Sequence, residues 1–174
     1  MKDSLRIGIF YGTSSGNTRQ VAGLIAAGLG KQAKLVDVEF AKVSDIEMFD
    51  LLIFGTSTWG MGDVQYDWGK YLILTKKVNL SEKTIAFFGL GDQSNYPECY
   101  QDGMGILYEH FKDKARIIGY WPSESYRFTQ SKAVIGNMFV GLAIDQDNEA
   151  LLTPERIKQW CALLRNEMNS EQTI

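Results

Sequence analysis

Apolar positions along the chain fall into short runs separated by longer segments with a helical period. Ile7, Ile9, Phe10 and Tyr11 form a run of the length expected of a strand buried on both faces. Similar runs recur at residues 34–39, 51–55, 84–89 and 116–121, with a further apolar piece at 138–144. Amphipathic stretches at 18–29, 67–76 and 104–112 lie between them, and another closes the chain at 154–168. In the first of these, Val21, Leu24, Ile25 and Leu29 repeat at the spacing of one helix face. Thr153-Pro154-Glu155-Arg156 reads as an N-cap followed by proline at the first helical position. Strands alternating with helices of these lengths predict an α/β fold, a parallel sheet with helices on both faces. Ligands of such sheets sit beyond the carboxyl ends of the strands, where the strand order reverses.

Composition sharpens this only a little. A chain of 174 residues, 45% of them hydrophobic and only three of them proline, is expected to form one domain over 1–174 with a sizeable core. No apolar run approaches the roughly 20 residues of a membrane span. Met1-Lys2-Asp3-Ser4 leads into a strand without a signal-peptide pattern, so a cytoplasmic location without membrane contact is expected. Two cysteines, Cys99 and Cys161, offer neither metal spacing nor a disulfide framework. Cys161 reads as core. The single histidine, His110, reads as a helix-surface residue, which argues against a histidine triad or a zinc site.

Charge is more telling in its distribution than in its total of −3. Segments expected to follow the strands carry Asp63, Asp67, Asp92, Glu98, Asp102, Glu124, Asp145 and Asp147 against Arg127 and Lys132, a local charge of −6. One edge of the fold should therefore be acidic, which disfavours nucleic acid as a partner.

The candidate chemistry lies at that edge. After the first strand comes Gly12-Thr13-Ser14-Ser15-Gly16-Asn17-Thr18, uncharged and rich in hydroxyls. At a helix start such a loop gathers unpaired N–H groups and the positive end of the helix dipole, an anion site. Its two glycines do not make the dinucleotide fingerprint, and Asn17 stands where a triphosphate-binding loop needs lysine. Hydroxyls and amides alone suit one terminal phosphate held without Mg²⁺; the alternative is an ordinary hydroxyl helix cap. The third strand opens into Thr56-Ser57-Thr58-Trp59-Gly60-Met61-Gly62-Asp63, and the fourth into Leu90-Gly91-Asp92-Gln93-Ser94-Asn95-Tyr96. Two loop aromatics at the same edge suggest a clamp on a flat ring.

These three loops, in this order, resemble those of the flavodoxins, carriers of electrons on non-covalent FMN. The resemblance covers almost the whole chain and implies a three-layer sandwich around a five-stranded parallel sheet of order 2-1-3-4-5. The polar stretch from Pro122 to Asn137 resembles the insertion that splits the fifth strand in the long-chain branch. The run Phe139-Val140-Gly141-Leu142-Ala143-Ile144-Asp145 resembles the resumption of that strand. By this resemblance Thr13, Ser14, Ser15, Gly16, Asn17 and Thr18 hold the FMN phosphate. Trp59 and Tyr96 sandwich the ring, and backbone groups of Gly60, Gly91 and Asp92 meet its polar edge. Ser57, Thr58, Gly62, Leu90, Cys99 and Asp147 complete the cofactor site. In the family a peptide flip at the position of Gly60-Met61 turns a carbonyl towards flavin N5, and glycine permits the positive φ this needs. Ser57 and Gly60 depart from the proline and asparagine frequent at those positions, and the family is usually more acidic.

The expected function is thus a low-potential one-electron carrier, a monomer and not an enzyme. Its partners would be redox proteins, a flavin reductase as donor and an oxidoreductase as acceptor, docking at the acidic face. An FMN-dependent NAD(P)H quinone reductase is the enzyme alternative, but no second nucleotide motif accompanies the loops. A phospho-accepting receiver of the same topology would need acids where Gly12-Thr13 and Gly55-Thr56 stand.

Overall fold

The computed structural model describes residues 5–170. In chain order its first half holds β1 (Ile7–Tyr11), α1 (Asn17–Leu29), β2 (Ala33–Asp37), β3 (Leu51–Trp59), β4 (Asp63–Val64) and α2 (Tyr66–Leu74). Then follow β5 (Thr84–Leu90), α3 (Asp102–Phe111), β6 (Arg116–Ile118), β7 (Trp121–Pro122), β8 (Val134–Ile135), β9 (Met138–Phe139), β10 (Leu142–Ile144) and α4 (Thr153–Asn169).

The strands that read as continuous apolar runs are the central ones. β1, buried along its length, lies between β2 and β3 in parallel register, with Ile9 opposite Leu35 on one side and Ile53 on the other. β5 pairs with the far side of β3, and both β6 and β10 pair with β5, at its beginning and its end. The parallel order is therefore the expected 2-1-3-4-5, with the fifth strand in two pieces on one edge.

Side chains alternate across this sheet and build two cores. Ile9 and Ile53 face α1 and α4, joining Val21, Ile25, Ile157, Trp160, Cys161 and Leu164. Phe10 and Phe54 face the other way, onto Trp68 and Tyr71 of α2 and Met104, Leu107 and Phe111 of α3. No helix among the described residues is long and apolar enough to cross a membrane.

Three elements differ from the sequence expectation. The third strand runs on to Trp59 instead of ending at Gly55, because Ser57 still pairs with Leu90 and Thr58–Trp59 turn back onto β4 as a hairpin. The run at 116–121 breaks at Gly119, whose φ of +80° turns the chain out of the sheet. Trp160 and Glu167 of α4 hydrogen-bond Gly119 O and N there. The run at 138–144 is likewise two strands: Met138–Phe139 pairs with β7 and β8 in a separate antiparallel sheet, and only Leu142–Ile144 rejoins β5. Gly141 lies between them because a Cβ there would sit 2.1 Å from Phe87 O.

Candidate functional site

At the carboxyl ends of β1, β3, β5 and β10 the loops surround a cleft of about 330 Å³, the size class of small-ligand sites. One wall comes from the loop before α1. Gly16, at φ +94°, is the N-cap, and no side chain caps the first helical turn. Ser15, Asn17 and Thr18, before and at the start of α1, line the cleft. Thr13 and Ser14, expected to meet phosphate with their hydroxyls, do not line it. Thr13 Oγ1 accepts from Gly16 N at 3.0 Å and shapes the loop, and Ser14 Oγ accepts from Gln65 Nε2 at 3.2 Å.

Gln65 anchors the loop from below. Its Oε1 caps α2 by accepting from Asp67 N and Trp68 N, while Trp68 Nε1 donates to Gly55 O at 2.7 Å. Gly12 N donates to the same carbonyl, so the end of β1, the end of β3 and the start of α2 are tied at one point.

The second wall is the end of β3. Ser57, Thr58, Trp59 and Gly60 line the cleft, and Trp59, 44% exposed, is oriented by its Nε1 donating to Ser57 Oγ at 2.7 Å. Thr58 Oγ1 accepts from Gly103 N at 3.0 Å and fixes this strand end against α3. Gly62 sits behind the cleft, where a Cβ would meet Asp102 Oδ2 at 2.7 Å.

The third wall is the loop after β5, with Leu90, Gly91, Asp92, Tyr96 and Cys99 on the cleft and Tyr96 52% exposed. Hydrogen bonds from Asn95, Asn148 and Ser94 outweigh burial and hold the Asp92 carboxyl below the usual carboxylate range. Asp147 completes the rim, and burial, then the charges of Asp92 and Asp145, push its carboxyl up. Burial also pushes the Cys99 thiol up, helped by Asp102 and Glu98.

Tyr100, Gln101 and Gln146 line the cleft too and were not anticipated. Tyr100 and Gln101 follow Cys99 in a loop whose sequence does not show which side chains turn inward. Gln101 has the one positive φ outside glycine among the described residues, +63°, and its Nε2 donates to Ile144 O. The expected acidic edge is thinner than its composition. Asp145 is buried under hydrogen bonds from Gln93 N and Asn148, and Asp102 is buried with Lys132 N and Nζ against it. Asp63, Glu98, Glu124 and Asp147 remain exposed.

A doubly wound sheet with an uncapped helix terminus and two exposed aromatics at one cleft defines a protein of the phosphate-and-ring-binding class. The chain belongs to the flavodoxin family, whose model, described as Flavodoxin, matches residues 9–160. It is 46% identical over 158 residues to a flavodoxin of Buchnera aphidicola subsp. Acyrthosiphon pisum, covering 89% of this chain and 92% of that one. It is 44% identical over 165 residues to a flavodoxin of Synechococcus elongatus, with 93% and 97% covered. Among solved structures, Fusobacterium nucleatum flavodoxin bound to flavin mononucleotide superposes with a TM-score of 0.89 at 28% identity, over 94% of this chain and 98% of that one.

Proposed function

We propose that this chain is a one-electron carrier that holds FMN non-covalently in the cleft and passes electrons between redox proteins. The observation that carries the reading is the uncapped start of α1 opening on the cleft that Trp59 and Tyr96 line. The residues present fit the group. Ser15, Asn17 and Thr18 offer amides and hydroxyls to a phosphate, with the loop pinned by Gln65 and Gly16. Trp59 and Tyr96 bracket a flat ring, and Ser57, Thr58, Gly60, Leu90, Gly91, Asp92, Cys99 and Asp147 line its surroundings. Thr13, Ser14, Gly16 and Gly62 serve by shaping the loops.

Bound FMN supplies a centre that accepts and returns electrons one at a time. The chain sets how readily it does so. Acids beside the ring disfavour added negative charge: one carboxylate at about 10 Å and an effective dielectric of roughly 40 costs about 0.8 kcal/mol. For one electron that is on the order of 35 mV, so Asp63, Asp92 and Asp147 together lower the potential. Trp59, Met61 and Tyr96 are exposed apolar side chains on the loops at the strand ends, and together with these acids they offer a face suited to a partner with a basic rim. No second substrate site is needed for this task, and the protein works as a monomeric carrier in the reducing cytoplasm.

Titration of the ligand-free protein with FMN and riboflavin tests the assignment. FMN is expected to bind far more tightly, because riboflavin leaves the α1 amides unpaired. Comparable affinities would remove the phosphate loop from the site.

A further inference from the structure

α1 and α4 pack side by side on the sheet face that carries Ile9 and Ile53, yet the seam between them does not close along its length. It opens into a groove of about 220 Å³ that shares no lining residue with the cleft. Pro154, Ile157, Lys158, Cys161 and Arg165 line it from α4, a stripe along one helix face that spans roughly 16 Å. Leu24 and Gly28 line it from α1, one turn apart. The two helices approach closely at Gly28, where a Cβ would sit 2.9 Å from Cys161 Sγ. Ile157 and Cys161 are buried at the base of the groove, while Leu24 stays 42% exposed at its edge.

The charged residues of the lining are both cations, and among the described residues no acid lines the groove. Arg165 is exposed, and its Nη2 donates to Gly28 O. It forms no ion pair among the described residues. Tied to the α1 backbone by one arm, the guanidinium is held at the groove with its other N–H groups directed to no protein acceptor, ready for an anion. Lys158 reaches Glu155 only at 3.9 Å, with both side chains exposed, a pair that holds neither charge firmly. Its methylene stem adds apolar cover beside Ile157 while its ammonium stays in water.

We propose that the groove between α1 and α4 is a binding site for a medium-chain alkyl carboxylate. The chain lies over Leu24, Ile157 and Cys161, where it removes apolar surface from water, and the carboxylate meets Arg165. Charge complementarity selects the anionic head. Size selects the chain: the groove is smaller than the about 300 Å³ at which sites for drug-sized ligands begin, and too narrow to seat a partner helix about 10 Å across. One unbranched chain fits it. The site needs no flavin, so it stands or falls apart from the cofactor reading.

Titration of the full chain, as isolated, with sodium decanoate tests the proposal, with the methyl resonances of Leu24 and Ile157 and the rings of Trp59 and Tyr96 followed by NMR. Saturable shifts are expected at the two methyls and none at the two rings. Octanoate should bind about fivefold more weakly than decanoate, because the open groove covers part of each of the two methylenes it lacks. Decylammonium should bind about tenfold more weakly, because its head repeats the charge of Arg165 and Lys158. Arg165→Gln should weaken decanoate about tenfold and narrow the gap between the two head groups, whereas Leu24→Ser should weaken both amphiphiles alike. Should Arg165→Gln not fold, the comparison of head groups on the wild type decides the same question. Equal affinity for decanoate and decylammonium, or no saturable shift at Leu24 and Ile157, would overturn the proposal. Tighter binding of a leucine- and glutamate-rich helical peptide at the same methyls would also overturn it, and make the groove a protein-docking surface.

Discussion

At the scale of single residues, the chemistry of the cleft depends on where hydrogen bonds are spent. Ser57 gives its hydroxyl oxygen to the Trp59 indole, so Ser57→Ala frees the ring to turn. FMN binding is expected to weaken about fivefold, near 1 kcal/mol for one bond at a partly exposed site, with Trp59→Ala losing more. Equal affinity in Ser57→Ala and wild type, read by titration, would show that the indole is held by something else. Gly60 sits at φ +52° in the turn closed by Gly62 N donating to Trp59 O. A side chain there is strained in the resting turn, and Asp63 Oδ2 would lie 3.3 Å from its Cβ. Gly60→Ala is therefore expected to cost about 1 kcal/mol in denaturant unfolding, and an unfolding curve that coincides with wild type would show that the turn tolerates a side chain.

At the scale of elements, the parallel strands and the four helices could be read from apolar runs and periodicity, because burial on both faces leaves an unbroken pattern. The breaks at Gly119 and Gly141 could not. Each lies inside an apolar run, and what ends the strand is a long-range partner: Trp160 and Glu167 at one, the Phe87 backbone at the other. The hydroxyl-rich loop was legible as a composition, yet which of its side chains line the cleft was not: Ser14 is held by Gln65, fifty-one residues away, and Thr13 by Gly16 N. His110 shows the same limit. It reads as surface, but its Nε2 lies 3.2 Å from Thr75 Oγ1 at the end of α2, half-buried beside Lys114. Burial, then the charges of Lys114 and Lys76, lowers its pKa below the ordinary value of 6.5. A histidine with a lowered folded pKa favours the neutral form, so its stabilising contribution is present above the unfolded pKa. That contribution is lost as pH falls through about 6.5 towards the folded value. The thermal midpoint of the wild type should thus fall more between pH 7.5 and 5.5 than that of His110→Gln, and parallel profiles would contradict it.

At the scale of the whole molecule, the strand-end segments carry −6 and the rest of the chain carries +3, so the charge is polarised although the total is small. Burial changes what a partner meets. Asp102 and Asp145 are turned inward to hold Lys132, Gln93 and Asn148, which makes them parts of the scaffold under the cleft. Asp63, Glu98, Glu124 and Asp147 are exposed, with Asp92 half-buried on the cleft, and on the proposed reading they supply the field a redox partner would meet. Such a field speeds encounter with a basic partner more than it tightens the final complex. Electron transfer from a flavin reductase should therefore slow as salt rises, because the screening length shrinks from about 10 Å at 0.1 M to about 3 Å at 1 M. The double variant Asp63→Asn with Asp147→Asn removes two exposed charges, one at the start of β4 and one after β10, without touching the buried pair. Stopped-flow rates for it should be lower than wild type at low salt, converge with wild type at high salt, and show a shallower slope between. A wild-type rate indifferent to salt would mean that the exposed apolar side chains alone guide docking, and that the acids act only on the flavin potential.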